Sequence, residues 1–276
     1  MVTKKRTKFK LSSLLKAGTL LWFIMILTSC GSFRGCMSCS PTLISNTPEW
    51  RHESFVKIEM EITLTPSTCG SLPPGVECES LVNTLPPVTM RASGSGIVVR
   101  SLSHSTYILT ADHVCRGQQI QTINIPTASG PAQIIMSRTL DLKTVDYYGN
   151  VRYAEYFSSD APNDICLVRT KGTWGKEVPV AESLPEIGER VFNVAAPTGI
   201  FNPGMVPMFE GFFSGSDTRR LHYYTVPARP GSSGSSILNE RGEIVAVIHS
   251  AYTGFENIAI CSSLTSIHEL IESINQ

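Results

Sequence analysis

Nine residues of the chain, Ala228-Arg229-Pro230-Gly231-Ser232-Ser233-Gly234-Ser235-Ser236, hold the first group that could do chemistry. A serine hydroxyl becomes a useful nucleophile when a base takes its proton, a third group orients that base, and hydrogen-bond donors receive the oxyanion. Gly231 stands two positions before Ser233 and, lacking a Cβ, lets the backbone curl so that its own N–H and that of Ser233 meet at one point. Ser236 also has a glycine two residues earlier, but bulky Ile237 follows it. A structural Ser/Gly-rich turn would read in the same way, so the loop needs company.

The base candidate is His113 in Tyr107-Ile108-Leu109-Thr110-Ala111-Asp112-His113-Val114-Cys115, where an apolar run ends and a helical turn begins. A packed or surface histidine is the plainer alternative, since the chain has six. The orienting carboxylate is expected from Asp164 in Pro162-Asn163-Asp164-Ile165-Cys166-Leu167-Val168, at the start of an apolar strand. Its rivals Asp141, Asp146 and Asp160 lie in more polar, exposed-looking contexts.

These side chains need a frame. Short β-type segments separated by turn residues run from Ser54–Thr65 through Gly96–Arg100, Tyr107–Thr110, Ile120–Ile125, Asp164–Arg169, Arg190–Ala195, His222–Val226 and Ile244–Ser250 to Asn257–Ser262. Two stretches look helical, one turn at Ala111–Arg116 and the terminal Ser266–Asn275. Many evenly spaced strands with a terminal helix predict an all-β protein, barrels or a sandwich. The turn-rich Lys171–Val180 divides it, giving expected halves of 51–175 and 176–276.

Taken in order, Gly94-Ser95-Gly96-Ile97-Val98-Val99, the His113 segment, the Asp164 segment and the Ser233 loop resemble the blocks of chymotrypsin-like serine peptidases, most closely the bacterial HtrA-type subgroup without a PDZ domain. The order His, Asp, Ser is that of this fold, whereas other serine hydrolases permute it. The resemblance covers roughly residues 90–275 and implies two antiparallel six-stranded β-barrels with a C-terminal helix. It also implies His113 as general base, Asp164 as its orienter, Ser233 as nucleophile, the amides of Gly231 and Ser233 as oxyanion hole, and protein or peptide substrates. Ser235 and Ser236 depart from the usual Gly-Pro, which keeps open the alternative of a binding protein with the shape but not the chemistry. Ser232 is uncharged where digestive members carry an aspartate for zymogen activation, so activity without propeptide cleavage is expected. Ala92 and Ser93 stand where those members place a bridge partner for Cys115, so Cys115 is expected to be free. By the same resemblance Ala228, Arg229, His249 and Ser250 line the substrate pocket. Arg229 and His249 would suit an acidic side chain, as in glutamyl endopeptidases. In the alignment, however, His249 falls one position late and would then pack near the triad instead.

The first residues set the compartment. Lys4, Lys5, Arg6, Lys8, Lys10 and Lys16 precede an apolar run, Ala17 to Leu27, too short to span a bilayer comfortably. This is the pattern of an export signal, expected at 1–29. Leu27-Thr28-Ser29-Cys30 resembles a bacterial lipobox, which implies lipidation of Cys30, a tether over 30–50 and attachment to a membrane of the cell envelope. The resemblance further implies the outer membrane where a cell has two, because Gly31 replaces the aspartate of inner-membrane retention. After residue 29 there remain 17 Lys/Arg against 23 Asp/Glu, a net charge of −6, which argues against nucleic acid as partner. Outside the cytoplasm cysteines pair. Cys69 and Cys78 bracket a Gly/Pro-rich loop and are the expected bridge, whereas Cys166 and Cys261 read as plain core residues. Cys36 and Cys39 lack companions for a zinc site, and neither metal nor cofactor is expected.

Overall fold

The computed structural model describes residues 50–117 and 122–275. Cys30, Cys36, Cys39, the expected signal at 1–29 and all of the expected tether before Trp50 lie outside the described residues.

A one-turn helix α1 (Trp50–Glu53) leads into β1 (Phe55–Cys69). From Val56 to Leu64 every second side chain of β1 is buried, the pattern of a strand with one face on a core. There follow α2 (Cys78–Thr84), β2 (Val88–Ser101), β3 (Ser105–Thr110), α3 (Asp112–Arg116), β4 (Thr122–Thr127), β5 (Gly130–Asp146), β6 (Val151–Asp160) and β7 (Ile165–Lys171). These strands pair antiparallel in the order β1-β2-β3-β7-β6-β5, and β5 returns to β1 to close a six-stranded barrel, with β4 added along β5. Val56, Ile58, Val98, Ile108, Leu142 and Val168 fill it.

The second barrel uses β8 (Arg190–Val194), β9 (Met208–Ser216), β10 (His222–Tyr224), β11 (Ser236–Leu238), β12 (Ile244–Tyr252) and β13 (Phe255–Cys261), closed in the order β10-β13-β12-β11-β8-β9. Helix α4 (Leu264–Glu272) ends the fold, with Ser263 accepting a 3.1 Å bond from the Ser266 amide as its N-cap. Its Ile267 and Leu270 join Ile97, Leu109 and Leu167 of the first barrel and Ile244 and Val247 of the second in a shared core. The architecture is the pair of closed six-stranded antiparallel barrels with a short terminal helix that the resemblance implies.

The strands β5, β6, β9 and the three-residue β11 escape the sequence reading. No side chain of β6 is fully buried, so its apolar signal is weak, and β9 carries Gly211 in its middle and Gly215 near its end. Helices α1 and α2 likewise stand beyond the two helical stretches expected, α2 directly after the Gly/Pro-rich loop between Cys69 and Cys78.

Among the described residues two disulfides form, and Cys261 is a buried free thiol. Cys69 and Cys78 are bonded. Cys115, expected to be free, is bonded to Cys166, expected to be a plain core residue. The cause is register: β3 pairs with β7 so that Thr110 faces Cys166, and the turn of α3 that follows brings Cys115 over the same strand.

A single hydroxyl ties the barrels together at their junction. Ser95 of β2 is fully buried; its Oγ donates to the carbonyl of Gly231 at 2.7 Å and accepts from the Ala196 amide at 3.0 Å. Its amide donates to the Ser233 carbonyl at 2.8 Å. Replacing Ser95 by Ala would leave a buried acceptor and a buried donor unpaired. The expected loss is about 2–4 kcal/mol, read by urea unfolding, because each orphaned group costs about 1–3 kcal/mol. The Cys115–Cys166 bridge spans a sequence separation of 51. Chain-entropy arguments assign such a loop up to about 4 kcal/mol, so the double Cys115→Ala, Cys166→Ala protein should unfold at clearly lower urea, and a midpoint unchanged from wild type would count against the bridge.

Candidate active site

His113 sits in the first turn of α3, which begins two residues after β3 ends; the intervening Ala111 is extended and turns the chain. Asp164 follows a 3-10 turn over Ala161–Asn163 and adopts φ 51°, the left-handed region that few residues besides Gly, Asn and Asp enter cheaply. This kink lets both its carbonyl and its carboxylate face α3. The carbonyl accepts from the Asp112 amide at 3.1 Å, Oδ1 from the His113 amide at 2.9 Å, and Oδ2 pairs with His113 Nδ1 at 2.8 Å. The Cys115–Cys166 bond lies two residues beyond each partner and clamps the same two segments.

Burial alone would raise the Asp164 carboxyl, but the bonds it accepts from the His113 ring and amide, with the charges of His113 and His249, outweigh it and hold it below the ordinary carboxylate value. An ionised carboxylate only accepts, so Nδ1 carries a proton, and in the neutral ring the lone pair is then on Nε2. The rival aspartates are engaged elsewhere. Asp146, expected to be exposed, is buried and accepts from the Trp174 indole and from Asn150. Asp160 caps the turn before Asp164 through Asn163, and Asp141 lies exposed on β5.

In the serine loop Gly231 and Gly234 have φ of +94° and +85°. A Cβ on Gly231 would meet the Ala196 carbonyl at 2.4 Å, and one on Gly234 would meet Thr110 Oγ1 at 1.9 Å, so both positions demand glycine. Ser232, Ser235 and Ser236 are buried and only Ser233 is partly exposed. Ser235 Oγ donates to the Ser232 carbonyl at 2.7 Å and accepts from Asn193 at 2.9 Å, which explains a serine where the usual pattern has glycine. The amides of Ser232, Gly234 and Ser235 donate to Arg229, Ile248 and Ser232. Among the described residues those of Gly231 and Ser233 donate to nothing, nor do His113 Nε2 and Ser233 Oγ make any hydrogen bond. His113, Gly231 and Ser233 all open on one cavity of about 370 Å³.

The four expected pocket residues lie outside the lining of that cavity. Ala228 is buried, and its amide donates to the Glu256 carbonyl at 2.8 Å. Arg229 is ion-paired with the Glu256 carboxylate. His249 is partly buried, with Nδ1 3.1 Å from the Ser250 hydroxyl; burial first, then the nearby His113, pushes its pKa down against the opposing pull of Asp164. Ser95 is the residue that sequence reading missed, and its setting between Gly94 and Gly96 in the middle of a strand was the available signal. A Cβ at Gly94 would meet Val114 at 2.7 Å and the Ser233 carbonyl at 3.1 Å, so these glycines let β2 approach the His and Ser segments.

Comparison with known proteins bears on the fold and the family. A serine endoprotease from Yersinia pestis superposes with a TM-score of 0.54 at 16% identity, covering 81% of this chain and 63% of its own. An uncharacterized protein of Sinorhizobium fredii, y4bJ, is 26% identical over 117 residues, 40% of this chain and 18% of that protein. The chain thus spans less than two thirds of either relative. The model of the trypsin-like peptidase domain matches residues 94–247, more than half of the chain and all three of His113, Asp164 and Ser233, and the chain belongs to that family.

Proposed function

We propose that the protein is a serine endopeptidase acting on proteins outside the cytoplasm, with His113 as general base, Asp164 as its orienter and Ser233 as nucleophile. One observation carries the reading. The sole partly exposed serine of the loop shares a cavity with a histidine already held by a carboxylate, and the two free amides of the loop flank it. In the proposed mechanism Nε2 of His113 takes the Ser233 proton as Oγ attacks the scissile carbonyl. The amides of Gly231 and Ser233 receive the oxyanion, and His113 then returns the proton to the leaving amine. Asp164 keeps the imidazole in the required tautomer and stabilises its charged form. The basic and apolar start and the lipobox-like Leu27–Cys30 support export and a lipid tether at Cys30, and the ordered blocks support the HtrA-type subgroup.

A fluorophosphonate probe should label the wild-type protein, lose its target in Ser233→Ala and keep it in Ser236→Ala. A folded wild type that resists labelling would instead favour the binding-protein reading. Asp164→Asn should lower turnover by roughly 10⁴-fold, since an amide no longer enforces the Nδ1–H tautomer. Because the Asp164 pKa is depressed on folding, its contribution to stability is present above the ordinary carboxylate pKa and is lost as pH falls through the folded value. The stability gap between wild type and Asp164→Asn, measured by urea unfolding, should therefore shrink as pH drops below about 4.

A further inference from the structure

We infer that the site selects an apolar residue immediately after the scissile bond; this rests on the peptidase reading. The cavity at Ser233 is lined by Met60 and Ile62 of β1, Met90 and Ala92 of β2, Val114 of α3 and, across from them, Gly231. Its size is at the small end for a ligand site, suited to one or two side chains.

Which half of a peptide enters it follows from the surroundings. Strand β12 passes beside the nucleophile, where the Gly234 amide donates to the Ile248 carbonyl at 2.7 Å. Its pairing with β11 ends at Val247, so from Ser250 to Tyr252 that edge has no strand partner, while the other edge holds β13. An open edge of this kind takes an extended peptide by strand addition. No residue of β12 or β13 lines the cavity. A substrate crossing Ser233 therefore lays its acyl half along β12 and sends the amine half, beginning with the residue after the cleaved bond, into the cavity between the first barrel and Gly231.

The chemistry of the lining sets the preference. Among the described residues of the lining, Arg91 is the one with a permanent charge, and it is exposed and paired with Glu61 at 2.8 Å. Arg138, whose buried Nε and Nη2 have no hydrogen-bond partner among the described residues, comes with Nη2 to 3.1 Å from where a Cβ on Gly117 would sit, but it does not itself reach the described lining. Besides His113 and Ser233 at its mouth and the one hydroxyl of Ser93, the described walls that a side chain meets are thioether, aliphatic, proline ring and backbone.

The test is cleavage of a proteome-derived peptide library by the full-length protein, with both sides of each cut read by mass spectrometry. Leu, Ile, Met or Phe should dominate the position after the cut. Matched peptides carrying Leu there should exceed those with Gly or Asp by about 10–100-fold in kcat/KM, the range of apolar pocket discrimination. Ala92 is exposed on β2, and Ala92→Asp should shift the preference toward Lys and Arg. Met90→Ala, which enlarges the cavity, should shift it toward Phe and Trp and decides the matter if the charged variant does not fold. Cleavage indifferent to this position, selection of acidic residues there, or a preference unmoved by the variants that fold would overturn the inference. Fluorophosphonate labelling separates the two readings, because the small probe needs no peptide in the cavity. Labelling with unselective cleavage overturns this inference alone, and a folded wild type that fails to label overturns the peptidase reading beneath it.

Discussion

A buried hydroxyl has to find both a donor and an acceptor, and Ser95 finds them on the other barrel. Its Oγ joins the Gly231 carbonyl to the Ala196 amide, and its amide holds the carbonyl of Ser233. Its own carbonyl accepts from Thr110 Oγ1 at 2.7 Å, at the end of the strand that leads to His113. The serine loop and the histidine turn are thus referenced to one residue. Gly234, at positive φ, folds over Ser95 and Thr110 with no room for a Cβ, and Gly231, also at positive φ, is pressed in the same way against the Ala196 carbonyl. With the carbonyls of Gly231 and Ser233 drawn toward Ser95, their amides are left unspent.

The parts of the fold that read well from sequence are those where burial is one-sided. In β1 the alternation of Val56, Ile58, Met60 and Ile62 with Lys57, Glu59 and Glu61 declares a strand and its inner face. Strand β6 has Tyr153 and Tyr156 in the open and nothing fully buried, so no period survives to be seen. The long β5, which closes the first barrel against β1, shows outward Thr139 and Asp141 in a stretch that looks like loop until its partner is known. Pairing over such a distance is a tertiary fact, and local composition does not contain it.

The site divides in the same way. His113, Asp164 and Ser233 were visible because each sits at a change of local pattern, and their order matched a known frame. The cavity was not, since Met60, Met90 and Val114 are ordinary core-like residues whose convergence depends on barrel closure. Arg229 illustrates the converse. Its position suggested a recognition role, yet Glu256, arriving from the neighbouring strand, occupies its charge. The Cys115–Cys166 bond was missed because family spacing pointed to a partner at Ala92 or Ser93, within β2, whereas the register of β3 on β7 supplied one downstream.

That bond has an architectural consequence. The two strands that deliver His113 and Asp164 are already hydrogen-bonded neighbours, and the cross-link makes the pair a covalent unit inside the first barrel, while Ser233 rides on the second. The site is therefore assembled from a prebuilt half and a docked half. A movement of one barrel against the other would part Ser233 from His113 without melting a strand in either, and the bonds of Ser95 to Gly231, Ala196 and Ser233 are what oppose it.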